Sequence, residues 1–224
     1  DSLLLLQHRG QDASGIVTQK DRKFFMHKAK GMVKDVFRTR NMRGLPGNSG
    51  IGQVRYPTAG NADSEEEAQP FYVNAPFGIV MAHNGNLTNA HALRQELFST
   101  DHRHTNTESD SEVLVNIIAH ELEKNTRGIP LTVDNVFDAV AGVHARLKGS
   151  YAVISLIAGH GLLAFRDPYG IRPLCIGRAA DGSVMLASES VALEGTGFQL
   201  ERDVAPGEAV FVALDGTLHT RQCA

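Results

Sequence analysis

The chain has 224 residues, which is enough for one domain with a buried core and too few for two ordinary domains. Its composition, with 42% apolar and 21% charged residues, excludes an intrinsically disordered chain. The formal net charge of −3 and the scattered lysines and arginines exclude an electrostatic surface for nucleic acid, and no apolar stretch reaches the roughly 18 residues of a membrane span.

The first third of the chain is predicted to contain the end of a helix and four strands. Residues 1–8 have the character of the last turns of a helix, with Gly10 as its stop. The strands, each bounded by polar or turn-forming residues, are predicted at 15–18, 24–30, 50–56 and 77–83. Residues 61–68 contain four acidic side chains and predict a flexible loop.

In the middle of the chain, apolar residues change to a helical period. A first helix is predicted to begin with Thr88 as its N-cap. The Ser-x-x-Glu pattern of Ser109 and Glu112 predicts a capping box at the start of a second helix. A third helix is predicted to begin at Asp134 and to end at Gly149.

The last third of the chain returns to strands. Short turn sequences, two of them Asp-Gly, separate the apolar segments, and such turns join antiparallel neighbours. The strands are predicted at 151–158, 162–166, 172–178, 184–190 and 209–214. Strands, then helices, then strands, without regular βαβ alternation, predict an α+β layered fold.

Two charged residues lie where a strand ends or a helix begins. Arg55 closes a predicted strand, so its planar guanidinium can pair with a carboxylate through two hydrogen bonds, and a surface salt bridge is the alternative. Asp110 has no task in the capping box. A helix N-terminus keeps such a carboxylate ionised, so it can bind an ammonium group.

Asn84 and Gly85 directly follow an apolar strand. Asn-Gly is first of all a turn signal. The functional alternative is an oxyanion hole, in which an Asn amide and a neighbouring backbone N–H donate to one oxygen and glycine allows the close approach. Together with Arg55 and Asp110, these donors suit an α-amino acid whose side-chain carbonyl is attacked, although spacing alone does not choose which one.

Cysteine and histidine usage gives no sign of a disulfide framework or a metal centre. Cys175 and Cys223 have no CxxC spacing, which is typical of a protein from a reducing cytoplasm. The ten histidines include no HxxxH or HExxH pattern. No metal site is therefore predicted in this chain.

Seven ordered motifs resemble the class II glutamine amidotransferase domain. They are residues 7–15 (QHRGQDASG), 54–60 (VRYPTAG), 67–71 (EAQPF), 83–89 (HNGNLTN), 109–112 (SDSE), 165–174 (FRDPYGIRPL) and 187–190 (ASES). Within that class, the first two motifs look like the amidophosphoribosyltransferases and are less similar to glucosamine-6-phosphate synthase and asparagine synthetase. The resemblance covers essentially the whole chain.

The resemblance implies a role for each candidate site residue. Arg55 would hold the α-carboxylate of glutamine and Asp110 its α-ammonium group, while Asn84 and Gly85 would form the oxyanion hole. Three further residues would line or order the same pocket: Tyr56, Thr58 and Arg9. The resemblance also implies the N-terminal-nucleophile hydrolase fold, a four-layer α/β/β/α sandwich with mostly antiparallel sheets.

The chain departs from the family at its nucleophile. In this family a cysteine at the mature N-terminus attacks glutamine, whereas the sequence starts with Asp1 and has no cysteine before Cys175. We therefore expect residues 1–224 to be an amidotransferase domain truncated at its N-terminus and inactive as given. A phosphoribosyltransferase domain, with sites for phosphoribosyl diphosphate and magnesium, is expected to be missing after Ala224, and no cofactor is expected in this segment.

For the intact protein, the resemblance implies a cytoplasmic homo-oligomeric enzyme of de novo purine synthesis. It would use ammonia from glutamine to convert phosphoribosyl diphosphate to 5-phosphoribosylamine, and would bind neither nucleic acid nor membrane. One alternative is a non-catalytic glutamine-binding module that has lost its cysteine. A second is another class II amidotransferase with a sugar-phosphate acceptor.

Overall fold

A computed structural model describes residues 1–56, 65–126 and 130–224. Within these ranges the helices are α1 (Ser2–Leu5), α2 (Val33–Val36), α3 (Thr39–Arg43), α4 (Ala90–Asp101), α5 (Asp110–Asn125), α6 (Val133–Arg146) and α7 (Ser190–Glu194). The strands are β1 (Ala13–Lys20), β2 (Lys23–Lys30), β3 (Ser49–Arg55), β4 (Phe71–Val73), β5 (Ile79–Leu87), β6 (Gly149–Ile157), β7 (Gly161–Arg166), β8 (Cys175–Arg178), β9 (Val184–Ala187), β10 (Gln199–Asp203), β11 (Glu208–Ala213) and β12 (Leu218–Gln222). None of the helices in the described part of the chain is long and apolar enough to cross a membrane.

The strands form one large sheet and two small ones. The six-stranded sheet has the order β12-β11-β7-β6-β5-β4, and the three-stranded sheets have the orders β2-β1-β3 and β10-β8-β9. Every described pairing is antiparallel. Helices α5 and α6 pack on the large sheet, whereas α1, α2 and α7 pack on the small ones. The α/β/β/α sandwich predicted from the sequence is confirmed.

Side chains along a strand point alternately to the two faces of its sheet. This alternation produces one core between helices and sheet and another between the sheets. In β5, Met81 is fully buried and faces α5 and α6, while Val80 and Ala82 face the three-stranded sheets. On the sheet-to-sheet side, Val17 of β1 and Ile51 of β3 meet Val80 and Ala82. The site described below lies along this junction between the sheets.

One boundary prediction was wrong in a way that affects the site. The strand predicted to stop before Asn84 and Gly85 continues to Leu87, and Asn84 and Gly85 pair with Ala152 and Tyr151 of β6. The Asn-Gly dipeptide is therefore part of a strand and does not form a turn. The long partner strand β6 supplies the pairing that overrides the local turn preference.

All three predicted helix starts need a correction. Helix α6 begins at Val133 and not at Asp134. The N-cap of α4 is Asn89, one residue after the predicted Thr88. At α5 the N-cap is Ser109 as predicted, but the Glu112 carboxylate accepts hydrogen bonds from the backbone N–H groups of Asn106 and Thr107, so the predicted capping box does not form. Glu112 stabilises the preceding loop instead.

In the last third, the structure differs from several predicted elements. Gly149 begins β6, so it does not end α6. Strand β8 begins only at Cys175, because residues 167–174 form a loop. Helix α7 and strands β10 and β12 were not predicted, and Ser190 starts the helix where a strand was expected to end. Of the predicted flexible loop at 61–68, positions 61–64 lie outside the described residues. Glu65–Glu67 form a short 3-10 turn.

Candidate active site

A cavity of about 420 Å³ opens where β3 and β5 meet the start of α5. Sites for small molecules commonly measure about 300–1,000 Å³. The structure brings six of the seven predicted site residues to the wall of this cavity, from four separate segments: Arg9, Arg55, Tyr56, Asn84, Gly85 and Asp110. The seventh, Thr58, lies outside the described residues.

Asn84 gives the wall an amide donor without a partner. Its Nδ2 atom is buried and makes no hydrogen bond in the described structure. Leaving a buried donor unpaired costs about 1–3 kcal/mol, so such a group beside a cavity indicates a position for an acceptor on a ligand. An unpaired amide donor is one kind of group from which oxyanion holes are built, and the predicted role of Asn84 stays a prediction.

Gly85 has a backbone that only glycine tolerates at this place. Its φ is +155°, and a Cβ atom would lie 2.0 Å from the carbonyl oxygen of Ser150 and 2.8 Å from His83 Nε2. Any side chain would therefore push β5 away from β6. This close approach fixes the position of Asn84, the residue that precedes it.

Asp110 joins the end of β5 to the start of α5. The backbone N–H of Leu87 donates to Asp110 Oδ2 over 2.9 Å, and Asp110 Oδ1 lies 3.8 Å from His83 Nδ1. The side chain is partly exposed toward the cavity. It is the first residue of a 16-residue helix. Asp110 therefore has a structural task that the sequence did not reveal, in addition to any role toward a ligand.

Arg55 is held between two carboxylates. Its Nη1 donates to Asp12 Oδ2 over 2.9 Å and its Nη2 donates to Glu67 Oε2 over 2.6 Å. The residue is only 7% exposed. This is a buried ion-pair arrangement, so the alternative of a surface salt bridge is wrong. A ligand carboxylate would have to share the guanidinium with these two partners, and the predicted role of Arg55 stays a prediction.

Arg9 lies at the mouth of the cavity in an ion pair with Glu189. Arg9 Nη1 is 2.5 Å from Glu189 Oε1, and His8 Nε2 is 3.0 Å from Glu189 Oε2. The hydrogen bond from Arg9 lowers the pKa of the Glu189 carboxyl below its usual value. Glu189 therefore fixes Arg9 against the wall, and sequence reasoning had given Glu189 no role.

A network behind the wall was also missed. Gln69 Oε1 accepts a hydrogen bond from the backbone N–H of His83 over 2.6 Å, and Gln69 Nε2 donates one to the His83 carbonyl over 3.0 Å. Ser111 Oγ lies 3.0 Å from His83 Nδ1 and accepts from Gln69. Burial lowers the pKa of His83, and Arg172 lowers it further, while Asp110 opposes both effects. A neutral His83 does not neutralise Asp110, which leaves that negative charge for a ligand.

Arg172 is a cavity residue that the sequence did not single out. It lies on the wall, and its buried Nε makes no hydrogen bond in the described structure. The loop that presents it is held by its neighbours. Asp167, fully buried, accepts from the backbone N–H groups of Tyr169, Ile171 and Arg172, and Arg166 donates to the carbonyls of Gly170, Arg172 and Val204. Arg172 is therefore the third arginine on the wall, after Arg9 and Arg55.

Neither cysteine lines the cavity. Cys175 is buried on β8, and burial raises the pKa of its thiol to about 11. Burial also raises the pKa of Cys223, which follows β12. Thiols with raised pKa values are poor nucleophiles because the thiolate is the reactive form.

Comparison with known proteins identifies the family of the chain. A family model described as "Glutamine amidotransferase domain" matches residues 57–195. The amidophosphoribosyltransferases of Escherichia coli K12 and Pseudomonas aeruginosa are 57% and 56% identical, and each alignment covers all of this chain and 45% of the relative. The chain thus spans a little under half the length of these relatives.

Solved structures give the same result. Glutamine phosphoribosylpyrophosphate amidotransferase from Bacillus subtilis, complexed with ADP and GMP, superimposes with a TM-score of 0.82 at 32% identity, over 100% of this chain and 45% of that one. A structure described as the allosteric regulatory enzyme of purine biosynthesis superimposes with a TM-score of 0.83 at 33% identity and the same coverage. The chain belongs to the glutamine amidotransferase domain family.

Proposed function

We propose that this chain is the glutamine-hydrolysing part of an amidophosphoribosyltransferase. The observation that carries the proposal is the unpaired, buried amide of Asn84, which shares one cavity with the carboxylate of Asp110. An amide donor can stabilise a developing oxyanion and an anion can bind an α-ammonium group, so the cavity has two of the features expected of a site that hydrolyses glutamine, and a nucleophile is the third. The similarity to amidophosphoribosyltransferases over the whole chain supports this choice of reaction.

In this proposal glutamine lies across the cavity with its two ends recognised separately. Asp110 binds the α-ammonium group, and Arg55 binds the α-carboxylate while retaining its protein partners. The amide oxygen accepts from Asn84 Nδ2 and the backbone N–H of Gly85. Three other residues complete or order the pocket: Tyr56, Thr58 and Arg9.

The nucleophile is proposed to be a cysteine that precedes Asp1. A second, apolar cavity of about 350 Å³ lies between β3 and β9, each an edge strand of its three-stranded sheet in the described structure, and Asn84 lines this cavity too. An extended segment placed there would pair with exposed strand edges and lead a cysteine to Asn84. The chain as given places no thiol at the cavity and should not hydrolyse glutamine.

The chemistry that follows is a two-step acyl transfer. The thiolate attacks the glutamine amide carbon and the oxyanion accepts from Asn84 and Gly85. The amide nitrogen then takes up a proton, the C–N bond breaks, and ammonia leaves a glutamyl thioester behind. Water then cleaves the thioester to glutamate and regenerates the thiol. The α-amine of an N-terminal cysteine, with a pKa near 8, can transfer these protons.

The remaining steps belong to the intact protein. Ammonia would react with phosphoribosyl diphosphate, with magnesium bound in a separate phosphoribosyltransferase domain, to give 5-phosphoribosylamine for purine synthesis. We propose a homo-oligomeric cytoplasmic enzyme for this longer polypeptide. A non-catalytic glutamine-binding module is the second candidate, because no thiol lines the cavity of the chain as given.

Two measurements, one on the 224-residue chain and one on a longer form, test the proposal. L-Glutamine should bind the chain as given, measured by calorimetry, and L-glutaminol, which lacks the carboxylate, should bind more weakly. Adding the upstream segment that begins with cysteine should then produce glutamate and ammonia from glutamine. In that longer form, Asn84→Ala should lower kcat by about 100- to 1,000-fold, as the loss of one oxyanion-hole donor usually does.

The outcomes separate the candidates. Binding without hydrolysis in the cysteine-bearing form would favour the non-catalytic module. No binding of glutamine to either form would reject the site itself. An unchanged kcat in the Asn84→Ala variant would remove Asn84 from the oxyanion hole.

A further inference from the structure

The loop that presents Arg172 and the turn beside it carry exposed apolar side chains. We call this surface the docking face, and it consists of Tyr169, Ile171, Ala205 and Pro206. Tyr169 is 81% exposed and Ile171 is 62% exposed. The two others are also exposed. Large apolar side chains grouped in this way usually mark a surface that another part of a protein covers.

The two turns that form the docking face are in direct contact. A Cβ atom on Gly170 would lie 2.8 Å from Pro206 Cγ, and the backbone N–H of Gly207 donates to the Asp167 carbonyl over 3.1 Å. The hydrogen bonds that Asp167 and Arg166 make to the loop hold it in place. The apolar side chains are therefore displayed on a fixed support.

The last residue of the chain lies against the same turn. The backbone N–H of Cys223 donates to the Gly207 carbonyl over 2.9 Å, and the Gln222 amide donates to the Pro206 carbonyl over 2.6 Å. A Cβ atom on Gly207 would lie 2.6 Å from the Ala224 carbonyl oxygen. Any residue that follows position 224 would start beside Pro206.

We propose that the docking face is covered by the polypeptide that follows position 224 in the longer proteins of this family. The relatives are more than twice as long as this chain, which makes up 45% of their length, so there is enough polypeptide to cover it. The identity of that polypeptide as an ammonia-accepting domain rests on the proposed function. Arg172 belongs to the same loop and lines the glutamine cavity. Only this loop then separates the docked polypeptide from the cavity.

Cysteine labelling tests this placement with a matched pair of positions. Ile171→Cys and Leu214→Cys replace two side chains that are each 62% exposed, and Leu214 lies in the turn at the opposite end of the β11–β12 hairpin from Ala224. Each variant is made in the 224-residue chain and in the full-length protein that contains it. Maleimide labelling is read at each position by peptide mass spectrometry, so other cysteines do not interfere.

Position 171 should be labelled at least about tenfold more slowly in the full-length protein than in the 224-residue chain, because the centre of an interface is closed to reagents. Position 214 should be labelled at the same rate in both. Equal rates at position 171 would overturn the proposal. Protection of position 171 in the 224-residue chain alone, increasing with concentration, would show that a second copy covers the face and would also overturn it. Neither readout depends on glutamine hydrolysis, so the proposed function can fail independently.

Discussion

Single residues of the cavity carry both structural and chemical tasks, and Asp110 shows how the two can be separated. In the cysteine-bearing form, Asp110→Asn should raise KM for glutamine by about 10- to 100-fold, because a hydrogen bond to a charged group contributes about 1.5–3 kcal/mol. Asparagine can still accept the Leu87 N–H, so the helix start should persist. Steady-state kinetics with a thermal unfolding control checks this, and an unchanged KM would remove Asp110 from the ammonium site.

Arg55 allows a second test at the scale of one residue. Arg55→Lys replaces a planar fork by a single ammonium, which cannot hold Asp12 and Glu67 on its two terminal nitrogens at once. Breaking a buried ion pair costs about 3–5 kcal/mol, so the free energy of unfolding should fall by several kcal/mol. Urea denaturation measures this loss. A variant as stable as the original would show that the two ion pairs contribute little.

At the scale of elements, the register between β5 and β6 positions the oxyanion donors. Gly85→Ala would place a methyl group 2.0 Å from the Ser150 carbonyl, so β5 must shift and carry Asn84 with it. We expect a loss of stability of about 2–4 kcal/mol and loss of hydrolysis in the cysteine-bearing form. Urea denaturation and the ammonia assay would show both effects.

Gly182 provides the control for that experiment. It also has a positive φ, +89°, but a Cβ atom there would meet nothing within 4 Å. Gly182→Ala should therefore cost only the backbone strain, about 1–2 kcal/mol, and should leave hydrolysis intact. Equal losses in the two variants would mean that the contact between β5 and Ser150 is not the cause.

At the scale of the whole molecule, a buried histidine in the helix-to-sheet core makes stability depend on pH. Burial lowers the pKa of His144 to about 4, and its Nδ1 lies 2.8 Å from the Tyr151 hydroxyl. An unfolded histidine titrates near pH 6.5. Between that pH and about 4, His144 binds a proton in the unfolded chain but not in the folded one. This contribution to stability is complete above pH 6.5 and is lost as the pH falls toward 4.

The size of this effect can be measured. Between pH 7.5 and pH 4.5 the free energy of unfolding should fall by about 2–3 kcal/mol because of His144. His144→Gln can keep a hydrogen bond to Tyr151 and does not titrate, so the variant should show a shallower decline in urea denaturation at the two pH values. An identical decline in both proteins would assign the pH dependence to other groups.

The sequence by itself determined the layered α+β architecture and most of its strands, because alternation of apolar residues and turn dipeptides act over a few neighbouring positions. The motifs also singled out six residues that the structure brings to one cavity, and the roles predicted for them stay predictions. Predictions from local sequence were wrong where contacts with residues far away in the chain determined the backbone conformation. The turn preference of Asn84 and Gly85 yielded to pairing with β6, and the loop at 167–174 is fixed by Asp167 and Arg166.

Only the tertiary structure decided which groups share the cavity and in what state. It paired Arg55 with Asp12 and Glu67, it left the Asn84 amide without a partner, and it brought Arg172 to the wall. These facts depend on contacts between residues far apart in the chain, which sequence spacing does not encode. The unpaired amide, on which the proposed function rests, could be recognised only once burial and hydrogen-bond partners were known.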